Sequence, residues 1–395
     1  MRLLSRYILR ELLKVFLVSL FAMTFVVLPI CVAQEAIRQN LGLFPILRLI
    51  PYFLPNALVY AVPGTILFAT CSVYGRMSAD NELVAAKSVG VSPWAFLMPG
   101  FLLGFLVSLG ALWLNDIAST WGEKGIHRVV LQSVEQIAYG MLRTQKSYST
   151  PDFSINVERV EGKKLLHPTL AFHSSDNQRP FTLTADEAQL QLNADKTKLN
   201  ILLTNAMFVY GNEVEGFLPG NQVQEISVTD ASQKGGFSSR PANAAMHEIP
   251  TRIKQRRQEL RDLQQQLAAD AAYQMLTGDF AELTGPNWNT QYGSLDHLKH
   301  RLYRLELVPW RRWANGFSCL LFVMVGAPLA IQLRNADIWT SFGLCFFPIL
   351  LTYYPLLMYG LDRAKCGALP PYSIWLGNVV LFGASLWLIR KVMRH

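Results

Sequence analysis

The chain has 395 residues, of which 51% are apolar and 16% charged, and its mean hydropathy is +0.21. Soluble domains carry charge on about a quarter of their residues, so a single water-soluble globule is excluded. With 36 Lys and Arg against 28 Asp and Glu the net charge is +8, a balance that suits nucleic acid, an anionic surface or membrane topology.

A basic start, Arg2 to Lys14, leads into the uncharged run Val15–Gln34. A run of this length crosses the roughly 30 Å of hydrocarbon in a bilayer as a helix. Both parts are long for a signal peptide, and Ile30 before Cys31 is a poor lipoprotein context, so the segment reads as a retained helix. The second run is Leu49–Gly75. In the charged stretch Arg76–Pro93 that follows, Ser78 or Asp80 is placed to cap a short helix at about 77–90, which Gly90 and Pro93 end. Leu83, Ala86 and Gly90 share one face with small side chains, the shape with which a short helix seats in a partner's groove; a solvated turn is the alternative. The third run is Ser88–Asn115.

From about Met141 to Asp230 the period changes to that of strands. Phe153–Val160 alternates apolar and polar residues, Thr169–His173 and Phe181–Ala185 do likewise, and Ala188–Leu192 precedes a turn at Ala194–Thr197. Lys198–Leu203, Met207–Tyr210 and Val223–Val228 complete a set of short strands that suits a sandwich, roll or open barrel. If the roll is open, an inner face of Ile155, Val157, Leu183, Leu190, Leu192 and Leu203 offers an apolar path; if closed, these residues are its core. Gln233–Ala245, rich in Gly and Ser, reads as a flexible link.

Two antiparallel helices follow over Pro250–Leu307. Ile253, Leu260, Leu263 and Leu267 mark the first, and Leu295, Leu298, Leu302 and Leu305 mark the second, after a Gly285-Pro286-Asn287 breaker. The last three runs are Trp313–Leu333, Ile338–Leu361 and Cys366–Ile389. The expected fold is a multi-pass α-helical membrane protein of six transmembrane helices, with an outer all-β domain and an inserted helical hairpin. Its divisions fall at residues 1–115, 116–249, 250–308 and 309–395.

Orientation follows from the short loops. With the amino terminus inside, the inner pieces carry Arg2, Arg6, Arg10, Lys14, Arg76, Lys87, Arg334, Arg390, Lys391 and Arg394, against Arg38, Arg48, Arg363 and Lys365 outside. Positive charge stays inside, so both termini are cytoplasmic and the long insert lies outside. Cations that follow topology, with no aromatic and basic platform beside them, also exclude nucleic acid as a partner.

The chemistry-bearing motifs are missing. Gly162-Lys163-Lys164 lacks the upstream glycine of a phosphate loop, and no zinc-protease, nucleophile-elbow or paired-cysteine motif occurs. His297 and His300 share a helix face with no third ligand nearby, and read as solvated. Of the five cysteines only Cys366 sits at an outer loop, so neither a disulfide framework nor a metal or other cofactor is expected. Without a nucleotide site the chain is either a passive scaffold or borrows energy through its largest inner loop.

That loop carries a resemblance. Asp80-Asn81-Glu82-Leu83, then Ser88-Val89-Gly90-Val91-Ser92 and Pro99, resembles the signature of the lipopolysaccharide export permease family, the paired LptF and LptG membrane subunits. Arg6–Lys14 resembles the family's first helix; Gly326–Ile331, Tyr353-Tyr354-Pro355 and Leu369-Pro370-Pro371 resemble its last three, and Phe181–Asp186 a recurring strand. The resemblance implies a non-catalytic half-transporter of the bacterial inner membrane with a periplasmic β-jellyroll. It pairs with a second homologous permease subunit, is driven by a separate cytoplasmic ABC ATPase dimer, and passes lipopolysaccharide or a related glycolipid to a periplasmic bridge protein. Glu82, Leu83, Ala86 and Gly90 then form the coupling helix. The hairpin over Pro250–Leu307 departs from the family in its length.

A glycolipid's phosphates want cations at the outer rim. Arg38, just beyond the first run, and the adjacent Arg311 and Arg312 are the candidates, with ordinary snorkelling toward head groups as the alternative for each. The competing function is a membrane scaffold or mechanotransmission protein whose outer domain binds a protein and passes no lipid.

Overall fold

A computed structural model describes residues 2–38, 43–132, 139–143, 146–149, 153–162, 164–172, 181–192, 198–210, 214–227, 245–278, 280, 285–333 and 338–394. Two compact units divide the chain. One comprises Met1–Val27, Leu54–Thr120 and Pro241–His395; the other comprises Leu28–Phe53 and Trp121–Arg240.

The helices are α1 (Arg2–Arg38), α2 (Leu43–Ala79), α3 (Glu82–Ser88), α4 (Trp94–Ile117), α5 (Glu123–Gln132), α6 (Ile249–Thr277), α7 (Pro286–Gln332), α8 (Ile338–Lys365) and α9 (Leu376–Arg394). Among the described residues six helices are long and apolar enough to cross a membrane: Leu3–Ile37, Pro45–Ala79, Trp94–Ile126, Trp288–Gln332, Thr340–Lys365 and Pro371–Arg394. This is a helical, membrane-type protein.

In the first unit α7 is the central post, packed by α4, α8 and α9. Small residues let α4 and α7 approach. A Cβ on Gly104 would press on Val323, and one on Gly316 would meet Leu112 and the Ser108 carbonyl. Leu320 N donates to Ser108 Oγ at 2.9 Å across the same seam, and Asn378 Nδ2 of α9 donates to the Ala314 carbonyl at 3.1 Å.

Across the division drawn between 308 and 309, α7 runs unbroken for 47 residues through Pro309. Proline removes one helical hydrogen bond, but here tertiary packing holds the chain in line. Leu307 joins the main core, while Leu305 and Val308 bury against Ile249 of α6. The Arg257 guanidinium of α6 also reaches Glu306 of α7 at 2.7 Å.

In the second unit α5 follows a π-turn over Ala118–Gly122. Ile126 and Val129 bury against Val32 of α1 and Leu49 and Phe53 of α2. Gly125 is required there, since a Cβ would fall within the Tyr52 ring. The same unit holds an eight-stranded antiparallel sheet: β1 (Ser147–Ser149), β2 (Phe153–Asn156), β3 (Arg159–Glu161), β4 (Lys164–Leu166), β5 (Thr169–Phe172), β6 (Phe181–Leu192), β7 (Lys198–Tyr210) and β8 (Val214–Ser227).

Several expected strands merge or split. Phe153–Val160 is interrupted at Val157 and Glu158, whose amides donate to the carbonyls of Lys146 and Leu166. The two runs in Phe181–Leu192 are one strand, as are those in Lys198–Tyr210. The turn Ala194–Thr197, Val228 and all of the link except Ala245 lie outside the described residues.

The interruptions line up in a transverse row. In β6 the buried side chains are Leu183 and Ala185, then Ala188 and Leu190; in β7 they are Ile201 and Leu203, then Ala206. Alternation therefore slips by one residue at Asp186 and at Asn205, which lie side by side, while the pairing on either side holds one register. His167, next in the row, has φ 46°, Asn205 φ 54° and Gly220 φ 89°. Asn205 Nδ2 donates to Asp186 Oδ2 at 3.1 Å. Between β6 and β7 the bulges lie at one level and the register is kept, while the register against β8 shifts between Thr204 and Ala206; the bend lets both halves turn their apolar side to one core.

Candidate functional site

Between α2 and α4, helix α3 starts at Asn81, whose φ of 58° is one that asparagine tolerates. Neither expected capping residue serves. The hydroxyl of Ser78, within α2, donates instead to the Ile331 carbonyl at 2.8 Å, joining the ends of α2 and α7. Arg76 pairs with Glu11 at 3.0 Å, joining α2 to α1. Gly90, with φ 85°, ends the turn after α3.

The three residues of the expected small-residue face are placed differently, with Gly90 exposed. Leu83 is buried in the chain's own bundle, and Ala86 and Val91 pack against the same core. The outward face carries Val84 and Val89, 47% and 82% exposed. Small side chains fit a groove wherever it lies, and the groove of the chain's own bundle takes them. Glu82, at the first turn, is half-buried.

At the far end of α4 the two adjacent arginines part ways. The Arg312 side chain is 3% exposed and its Nη1 donates to Asp116 Oδ1 at 2.8 Å; the same oxygen accepts the Met246 amide at 3.0 Å. Asp116 thus ties α4, α7 and the approach to α6 together. Arg311 is half-buried, and Arg38 is the last residue of α1.

Inside the curved sheet, Ile155, Val157, Leu183, Leu190 and Leu203 are buried together, as one filled core. Leu192's side chain lies outside the described residues. Leu142, from a short helical stretch before β1, is fully buried among them, and Tyr139 packs beside it.

Across this frame, a family model for the lipopolysaccharide export system permease LptF/LptG matches residues 6–391. The chain belongs to that family. No curated protein matches it. As a permease of this family it is a transporter subunit, and the match takes in both membrane halves, α3 and the sheet.

In this permease His300 stands 3.3 Å from Asp296 on its own helix and 3.3 Å from the Lys365 carbonyl at the end of α8, a contact within the bundle. Among the described residues no three His, Cys, Asp or Glu gather as a metal site. Asp116, Tyr139 and Leu142 were not anticipated. Asp116 carried a signal: it is the first acid after the third uncharged run, as Arg312 is the last cation before the fourth, and opposite charges at one depth pair. Tyr139 and Leu142 carried none, since nothing in their stretch repeats at a strand or helix period.

Proposed function

We propose that this chain is one of two paired transmembrane subunits of an ABC-type exporter. It extracts lipopolysaccharide, or a related glycolipid, from the inner membrane and passes it to a periplasmic bridge, driven by a separate cytoplasmic ATPase dimer. The family match over nearly the whole chain carries this reading.

Six spans with both termini in the cytoplasm put α3 inside, where a nucleotide-driven partner works. Aromatic side chains support the placement. Trp113, Trp310, Trp313 and Tyr372 are exposed at one end of the spans, and Trp94 and Trp387 at the other, as interfacial belts are. The segment 77–90 is the coupling element. Glu82, Val84 and Val89 meet the ATPase, while Leu83 and Ala86 hold α3 in its seat and Gly90 ends the turn beyond it, so a push on α3 passes through Leu83 into the core and through Ser78 to α7.

The sheet, bent along its row of bulges, is the periplasmic jellyroll, and α6 with the outer half of α7 forms a helical hairpin insert beside it in sequence. Arg38 and Arg311 are each assigned to bind lipid phosphate, and Arg312, held by Asp116, sets the place of Arg311.

The coupling role is tested in proteoliposomes holding this chain, its sister subunit and the ATPase. Glu82→Ala is expected to weaken ATPase binding or to separate ATP hydrolysis from lipopolysaccharide release. Normal release per ATP in that variant refutes the assignment. A second reading, the non-transporting scaffold, is favoured by one observation: the inner face of the sheet is filled.

A further inference from the structure

One residue of this filled core is not part of the sheet. Leu142 comes from the stretch 139–143, ahead of β1, yet it is fully buried in the core that the strands form. Beside it the hydroxyl of Tyr139 accepts the Leu190 amide at 2.9 Å and donates to the Leu190 carbonyl at 3.4 Å. The amide and carbonyl of one residue in an antiparallel strand point to the same edge. On that edge of β6 the pairing with β4 reaches Ala188, so Tyr139 covers the backbone just beyond, where another strand would continue the ladder.

The stretch leads into β1 through Lys146, whose φ of 57° marks a sharp turn and whose amide donates to the Leu142 carbonyl at 3.1 Å. A flexible apolar side chain thus fills the interior, and one hydroxyl holds it to a strand edge.

We propose that residues 139–143 form a displaceable plug: Leu142 holds the space of an acyl chain while the roll is empty, and a passing glycolipid takes that space when Tyr139 releases Leu190. This rests on the exporter reading given above. It also eases the conflict between a filled core and lipid passage, because Leu142's share of the filling comes from a segment that can leave without unpairing any strand.

The test uses the full-length chain, co-purified with its sister subunit and ATPase in nanodiscs containing lipopolysaccharide. A benzophenone amino acid replaces Phe208, a half-buried ring against the same core, and lipopolysaccharide adducts are measured with and without ATP. Tyr139→Phe keeps the ring and removes both bonds of the hydroxyl, so the nucleotide-free adduct yield should rise about fivefold, the effect of one net hydrogen bond. Leu142→Ala should raise it at least as much. Adducts that form but keep the wild-type yield, or a lower one, in both variants overturn the plug and leave the exporter reading standing. Adducts absent from every protein, with or without ATP, overturn the lipid path along the sheet and the plug with it.

Discussion

Replacing Asp116 with alanine removes the acceptor that three elements share. Its Oδ1 takes the Arg312 guanidinium at 2.8 Å and the Met246 amide at 3.0 Å. The Arg312 side chain is 3% exposed, so its charge stays buried when the carboxylate goes, while Asp116 is 39% exposed and lets water soften the loss. A charged hydrogen bond at the lower end of its range plus one backbone bond gives about 3 kcal/mol, below the penalty for a wholly dry pair. With an unfolding entropy of about 2.1 cal/mol/K per residue, a chain of 395 residues shifts by about 1.2 °C per kcal/mol, so the melting temperature falls by roughly 3–4 °C. Tryptophan fluorescence of the purified protein in detergent, recorded on heating, measures it. The paired variant Asp116→Asn with Arg312→Leu keeps an acceptor for Met246 and leaves no buried charge, so it should melt above Asp116→Ala. A fall of less than about 1 kcal/mol for Asp116→Ala, or no recovery in the pair, refutes the latch.

At the α4–α7 seam, Gly316→Leu should cost about 2 kcal/mol or more by overpacking against Leu112 and the Ser108 carbonyl, and Gly316→Ala less; the same melts check both. In the sheet, Asn205→Val places a branched side chain at φ 54° and should cost about 1–3 kcal/mol, whereas Asn205→Gly should stay within about 1 kcal/mol, as read by limited proteolysis of the sheet. Arg311→Gln should lower the lipopolysaccharide that co-purifies with the complex without moving its melting temperature, because Arg311 lies outside the Asp116 latch; equal lipid content would remove it from the head-group site.

What could be read from residues alone follows from which forces act locally. An uncharged run of twenty or more residues answers to bilayer thickness, so each of the six runs has most of its length in a long apolar helix, although the third begins before α4, at Ser88, and the sixth in the turn at Cys366. Helix α3 was legible as an element, because Gly90 and Pro93 stop it, but its orientation was not. Leu83 faces the bundle since that groove is part of the same chain, which no local period reports. The kink level of the sheet was present as broken alternation: Leu183 and Ala185, then Ala188 and Leu190, cannot face one way in a straight strand. It came through as separate short strands instead. The unbroken α7 hid behind Pro309, where packing by Leu305, Leu307 and Val308 outweighs a lost hydrogen bond. The Asp116–Arg312 contact spans 196 positions, beyond any periodicity.

The account stands or falls on the sheet and α3 lying on opposite sides of the membrane. Single cysteines at Arg159, in β3, and at Val89, after α3, placed in a Cys366→Ser background, can be probed in intact cells with a membrane-impermeant maleimide. The cysteine at 159 should label once the outer membrane is permeabilised, and the one at 89 only after the inner membrane is opened as well. Labelling at 89 before 159 would place the sheet in the cytosol and contradict the export route.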